Sequence, residues 1–145
     1  MRGPVAGQPE TAGGTGSLGV TNGQVVQEFG YDSDCDEDLR AGLAAAAGAP
    51  LQDEDFDDVV DVALIWWRED DGDTQDLADM LTDALITLED GGLIWVLAPK
   101  AGRPGHVLPA EIEESATTAG LHLTSTRAAA PAWSAFRLTS RGRGR

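Results

Sequence analysis

The stretch Val59-Val60-Asp61-Val62-Ala63-Leu64-Ile65-Trp66-Trp67 decides the fold class. It is apolar throughout except at Asp61, and it is rich in β-branched and aromatic residues. A strand with one wet face alternates apolar and polar residues. A continuous apolar run instead marks a strand covered on both faces, as in sheets flanked by helices. Trp66 and Trp67 are neighbours on this strand, so they must point to opposite faces.

The pattern extends outward in both directions. Leu93-Ile94-Trp95-Val96-Leu97-Ala98 is a second continuous apolar strand. Between the two lie the turn Asp70-Asp71-Gly72-Asp73 and a helical stripe of Leu77, Met80, Leu81, Ala84, Leu85 and Leu88. Asp73 or Thr74 caps that helix and Gly91-Gly92 ends it. Upstream, the turn Asn22-Gly23 leads into a strand at residues 25–29, then an acidic loop at 30–36. A helix follows with Leu39, Leu43, Ala46 and Ala47 on one stripe and Gly48 as its stop. Asp36, Glu37 and Asp38 stand at its first turn, where the helix dipole favours carboxylates. Downstream, a Gly- and Pro-rich loop spans residues 99–109. A weaker helix runs over 110–119, with Pro109 at its start, Ile112 and Ala116 facing inward and Gly120 as its stop. Residues 121–127 and 133–139 read as strands with no helix between them.

Strand and helix thus alternate three times. This predicts an α/β chain: a small Rossmann-like three-layer domain over residues 18–139, with a mostly parallel sheet ending in an antiparallel strand pair. Residues 1–17 are mostly Gly, Pro, Ala, Gln and Thr without periodicity and read as a disordered tail. Residues 140–145 read as a basic tail carrying Arg141, Arg143 and Arg145.

Composition narrows the function classes. The 145 residues carry 25 acids and 10 bases, a net charge of −15. Such a surface repels phosphates, which argues against nucleic acid and against anionic membranes as partners. The charge is also uneven. Residues 28–90 hold 21 acids against Arg40 and Arg68 alone, whereas residues 91–145 hold 3 acids and 7 bases. With one cysteine, Cys35, there is no internal disulfide and no four-cysteine metal site. No apolar run is long enough for a leader or a membrane span, so the expected location is cytoplasmic.

Several segments taken together resemble a known family. They are Leu18-Gly19-Val20-Thr21-Asn22-Gly23, the strand running to Glu28-Phe29-Gly30-Tyr31, the run at 59–67, Gly91-Gly92-Leu93-Ile94-Trp95-Val96 with Pro99-Lys100-Ala101-Gly102, and Ala119-Gly120-Leu121 with Trp133-Ser134-Ala135-Phe136-Arg137-Leu138. The combination resembles the bacterial family called domain of unknown function 3052. That resemblance implies a fold and no activity. More distantly, the layout resembles class I methyltransferases that use S-adenosylmethionine. In those, an acid-x-Gly-x-Gly-x-Gly turn after the first strand receives the methionine part of the cofactor. Glu28 and Gly30 keep the acid and the first glycine, but Asp32 and Asp34 stand where the other two glycines belong. Their side chains would crowd a cofactor and repel its carboxylate. The resemblance therefore supports the fold and argues against the activity. No cofactor is expected; Glu28, Gly30 and Asp32 are the cofactor-binding candidates of the alternative reading alone.

Other constellations are weighed the same way. Asp32, Asp34 and Asp36 match the opening of a calcium loop, but Glu37 replaces its glycine and Leu43 its closing Glu, so no metal is expected. Lys100, Arg103 and His106 follow a buried strand and are a candidate anion site; their plainer reading is to neutralise facing acids. His122 alternates within a strand and reads as structural. Cys35 reads as an inert loop thiol. No nucleophile–base set for catalysis is legible. The leading expectation is a non-enzymatic interaction or regulatory module whose acidic face meets a basic protein partner. The alternative is a small-ligand or S-adenosylmethionine-type cofactor binder. The sequence does not specify an oligomeric state.

Overall fold

The computed structural model describes residues 18–140. The tail at 1–17, and all of the basic tail except Ser140, lie outside the described residues. The elements run β1 (Val26–Phe29), α1 (Glu37–Ala47), β2 (Val60–Trp66), a 3-10 turn (Glu69–Asp71), α2 (Thr74–Thr87), β3 (Leu88–Pro99), α3 (Pro109–Thr118), β4 (Leu121–Ala130) and β5 (Trp133–Ser140). Among the described residues no helix is long and apolar enough to cross a membrane.

One five-stranded sheet has the order β1-β2-β3-β5-β4. β1, β2 and β3 pair in parallel, while β5 pairs antiparallel with both β3 and β4. The sheet is therefore mixed and not mostly parallel as expected. The cause is the short turn between β4 and β5. α3 carries the chain past one strand position, and the turn sends β5 back into that gap. A two-residue turn reverses the chain, so both of its neighbours must be antiparallel.

The helices cover both faces, as a doubly apolar β2 requires. Leu39, Leu43 and Ala47 of α1 pack with Val62, Leu64 and Trp66 on one face. Leu77, Leu81 and Ala84 of α2, with Ile112 and Ala116 of α3, pack with Ala63, Ile65 and Trp67 on the other. Trp66 and Trp67 do face opposite ways. Trp66, Trp95 and Trp133 share the α1 side, where the rings of Trp66 and Trp133 meet edge to face at 4.8 Å.

Local sequence explains the boundaries. Asp36 caps α1 by accepting from the Leu39 N–H, and Gly48 ends it in the left-handed conformation. Asp73 caps α2 by accepting from the Asp76 N–H. Asp61, the lone polar residue of β2, accepts from the Val25 N–H at 2.7 Å and so fixes the start of β1. Gly91-Gly92 does not stop α2 as expected. The helix ends at Thr87, and Leu88 is already in β3, paired with Val60. The glycines form the bulge between that pair and the next, Val62 with Leu93. A Cβ on Gly92 would lie 2.8 Å from the Asp61 carbonyl oxygen, so β2 leaves no room for a side chain there.

Candidate functional site

The path of the chain defines where a ligand site belongs. From β1 the chain crosses α1 on one face and touches the outer edge of β1 through a single parallel bridge, Gln27 with Gln52. It then returns inward to β2, and the next helices lie on the opposite face. The winding direction therefore reverses between β1 and β2. In open α/β sheets such a reversal opens a crevice at the carboxyl ends of the two strands, and ligands bind there.

Here the crevice is filled by a side chain. Arg68, just past β2, is buried, and its Nη1 donates to the Gly30 carbonyl at 2.8 Å and to the Trp66 carbonyl at 3.2 Å. These carbonyls end β1 and β2, so the guanidinium ties the two strands together where they part. Its other edge donates to both Asp34 oxygens and, at 3.3 Å, to the Cys35 sulfur. The guanidinium carbon also lies 5.4 Å from the centre of the Trp133 ring. Burial works against its charge, yet the bonds to Asp34 hold the Arg68 guanidinium above the ordinary arginine range. The same bonds hold the Asp34 carboxyl below the usual carboxylate range.

The three cofactor-binding candidates of the alternative reading sit around this plug. Glu28 is buried, and its oxygens accept from Arg40 Nε and Nη2 and from the Trp66 indole N–H, each at 2.7 Å. That carboxylate is fully engaged inside the protein. The paired carboxylate raises the Arg40 guanidinium above its ordinary value. Gly30 has φ +76°, and a Cβ on it would lie within van der Waals overlap of the Trp66 carbonyl. The glycine is needed for strand packing, without reference to a cofactor. Its N–H donates to Glu54. Asp32 is exposed, and its side chain accepts from the Ser33 N–H.

Between Gly30, Asp32, Trp67, Arg68 and Met80 there remains a cleft of about 260 Å³. Pockets that bury small ligands usually measure about 300–1,000 Å³. Asp34 faces Arg68 and Asp36 caps α1, so the alternating acids do not converge as a calcium loop would. Among the described residues no three potential ligands are grouped to hold a metal ion. Cys35 is buried, and burial pushes its thiol up to about 11.

The candidate anion residues lie further along the same edge. Lys100, half-buried, and Arg103, exposed, make no ion pair among the described residues. His106 is half-buried, and its Nδ1 lies 2.9 Å from the Pro99 carbonyl oxygen. His122 is exposed on the outer strand.

A second cleft, about 450 Å³, lies on the α2 side of β1. Gln27 builds its wall. Its amide donates to the Asp53 and Phe56 carbonyls, and its oxygen accepts from Thr87 at the end of α2. The loop at 53–57 is thereby held against α2. Phe29, Phe56 and Met80 form an apolar floor, Ile86 stands at the edge, and Glu54, Asp55, Asp57 and Asp83 form an acidic rim. Ile86 is 79% exposed, unusual for an isoleucine on a helix.

Sequence reasoning missed Arg68, Arg40, Glu54 and Gln27. One signal was present: Arg40 and Arg68 are the two bases in a block of 21 acids. Bases so rare in such a block are expected to be the ones the fold pairs internally.

Comparison with solved structures agrees with the fold. The chain is similar to an O-methyltransferase, NcsB1 from neocarzinostatin biosynthesis, solved with S-adenosylmethionine and a naphthoic acid. The TM-score is 0.63 at 15% identity, over 81% of this chain and 49% of that one. The mitomycin 7-O-methyltransferase MmcR gives 0.63 at 12% identity, over 87% and 52%. The chain thus spans about half the length of these enzymes. CcbJ, a methyltransferase from Streptomyces caelestis, gives 0.57 at 13% identity, over 92% and 97%. At these identities the likeness is one of fold. In sequence, the chain is 53% identical over 121 residues to the uncharacterised proteins Rv2239c of Mycobacterium tuberculosis and Mb2263c of Mycobacterium bovis, covering 83% of this chain and 74% of theirs. The model of a protein family of unknown function, DUF3052, matches residues 15–142, and the chain belongs to that family.

Proposed function

We propose that this protein is a non-enzymatic binding module on a methyltransferase-like fold, and that its acidic cleft receives a basic, partly apolar segment of a partner protein. The observation that carries the reading is the Arg68 plug. The crevice where this topology holds ligands is occupied by the protein's own guanidinium, Glu28 is engaged by Arg40 and Trp66, and the cleft left beside Gly30 and Arg68 is small. The wider cleft lies elsewhere, and its apolar floor inside an acidic rim suits a segment with an apolar anchor flanked by Lys or Arg.

A labelled peptide alternating Arg with Leu tests this by fluorescence anisotropy. Binding is expected to weaken steeply with salt. Ile86→Ser, which leaves the charge unchanged, is expected to weaken it roughly tenfold, as loss of an anchor does. Glu113→Gln with Glu114→Gln removes two exposed charges on α3 that do not line the cleft and is expected to have little effect. A loss in the double glutamine variant with none in Ile86→Ser would mean that the peptide reads net charge alone, and the cleft would be discarded as the site.

A second reading, a binder of S-adenosylmethionine-type cofactors, is favoured by the fold likeness and by the cleft left beside Gly30. It requires Arg68 to swing out, breaking its bonds to two strand-end carbonyls and to Asp34. Titration with S-adenosylhomocysteine separates the two readings.

A further inference from the structure

The described residues include six cationic side chains, and four of them are engaged. Arg40 and Arg68 bind carboxylates, Arg137 donates to Thr124, and Arg127 lies over the Trp95 ring. Lys100 and Arg103 make neither an ion pair nor a side-chain hydrogen bond among the described residues. In a chain of net charge −15 this is unexpected, because acids are plentiful and cations scarce.

The backbone brings these two residues together with His106. The Arg103 N–H donates to the Lys100 carbonyl at 3.0 Å, and the His106 N–H donates to the Arg103 carbonyl at 3.2 Å. These are two successive β-turns sharing Arg103, so each neighbouring pair of Cα atoms lies within about 7 Å. The loop is fixed at both ends: the Lys100 N–H donates to the Ala132 carbonyl, and the Gly105 carbonyl accepts from the Glu69 N–H at 2.9 Å. His106 is fixed as well. A carbonyl only accepts, so the contact to Pro99 places the ring proton on Nδ1. In a ring with its proton on Nδ1, Nε2 is the acceptor, and it belongs to the same double turn as two cations without an ion pair among the described residues.

We propose that this double turn is an anion site for hydrogenphosphate. Lys100 and Arg103 face its negative oxygens, and its remaining P–OH donates to Nε2 of His106. Sulfate has the same charge and shape but no O–H to donate, so the site distinguishes the two. Glu69 sits beside the loop and opposes binding.

The site is independent of the acidic cleft, so its failure leaves the proposed function untouched. The test follows backbone amides 100–106 by NMR while sodium phosphate, or sodium sulfate, replaces sodium chloride at constant ionic strength. Saturable shifts with phosphate are expected, with sulfate binding at least several-fold more weakly. Lys100→Ala with Arg103→Ala is expected to abolish the shifts. His106→Phe is expected to make phosphate as weak as sulfate, and Glu69→Gln to tighten both. Circular dichroism checks that each variant is folded. Shifts that fail to saturate, or that survive in the double variant, or equal affinity for the two anions in the wild type, would each overturn the proposal.

Discussion

Two regions of one sheet edge treat their cations in opposite ways. At the end of β1 and β2, buried Arg68 and half-buried Arg40 are bound by Asp34, Glu28, strand-end carbonyls and aromatic rings. At the end of β3, Lys100 and Arg103 stand on a fixed loop with nothing bound to them among the described residues. The first region is internally satisfied and closed; the second is fixed but unsatisfied. The lesson is that a binding fold does not announce its site. What matters is which of its polar groups are already engaged by the protein itself.

The largest effect expected from breaking this comparison is that of Arg68→Ala. It leaves the Gly30 and Trp66 carbonyls without their buried donor and a void beside Trp133, and is expected to cost about 3 kcal/mol in urea unfolding. It also changes the acid limb of stability. Asp34 titrates lower in the fold than unfolded, so its contribution is present above the unfolded value and is lost as pH falls through the folded one. In Arg68→Ala that loss is expected to be shallower.

Gly30→Ala should follow, at about 2 kcal/mol. It combines a left-handed φ with a Cβ driven into the Trp66 carbonyl. Cys35 gives the next effect, on the alkaline side. Its thiol is raised from 9.0 to about 11, so below 9 both states hold the proton, and between 9 and 11 only the unfolded state loses it. Stability is expected to fall across that window, less so in Cys35→Ala, and alkylation of the native thiol at pH 8 is expected to be slow. The smallest effect belongs to the open region. Lys100→Ala with Arg103→Ala removes no ion pair or side-chain hydrogen bond among the described residues and is expected to change stability by less than about 0.5 kcal/mol. A large loss there would mean that the two cations serve the fold.

Much of the fold was legible because local rules governed it. The apolar run at 59–67 gave a doubly covered strand, Asp73 capped α2 as expected, and Gly48 closed α1; Asp36, expected in the first turn of α1, is its cap instead. The antiparallel pairing of β4 with β5 was legible from the missing helix, but the insertion of β5 beside β3 was not. That order depends on which gap α3 leaves, a property of three dimensions. Gly91-Gly92 misled because glycine serves both to end a helix and to admit a neighbouring backbone, and only the position of Asp61 shows that the second need applies. The site was the least legible. Asp32 and Asp34 in the glycine positions pointed to a lost cofactor loop, yet the group that fills the crevice is Arg68, 34 residues beyond Asp34 in sequence. No local pattern links them.

The central claim is that Arg68 closes the switch-point crevice. Its most direct test is an amide NMR titration of the wild-type chain with S-adenosylhomocysteine, following residues 30–36, the amide of Arg68 and the indole of Trp66. The account predicts no saturable shift at millimolar ligand. Saturable shifts at Gly30, Asp34 and Arg68 would show that the guanidinium yields to the cofactor, and the reading of a closed, non-enzymatic module would be abandoned.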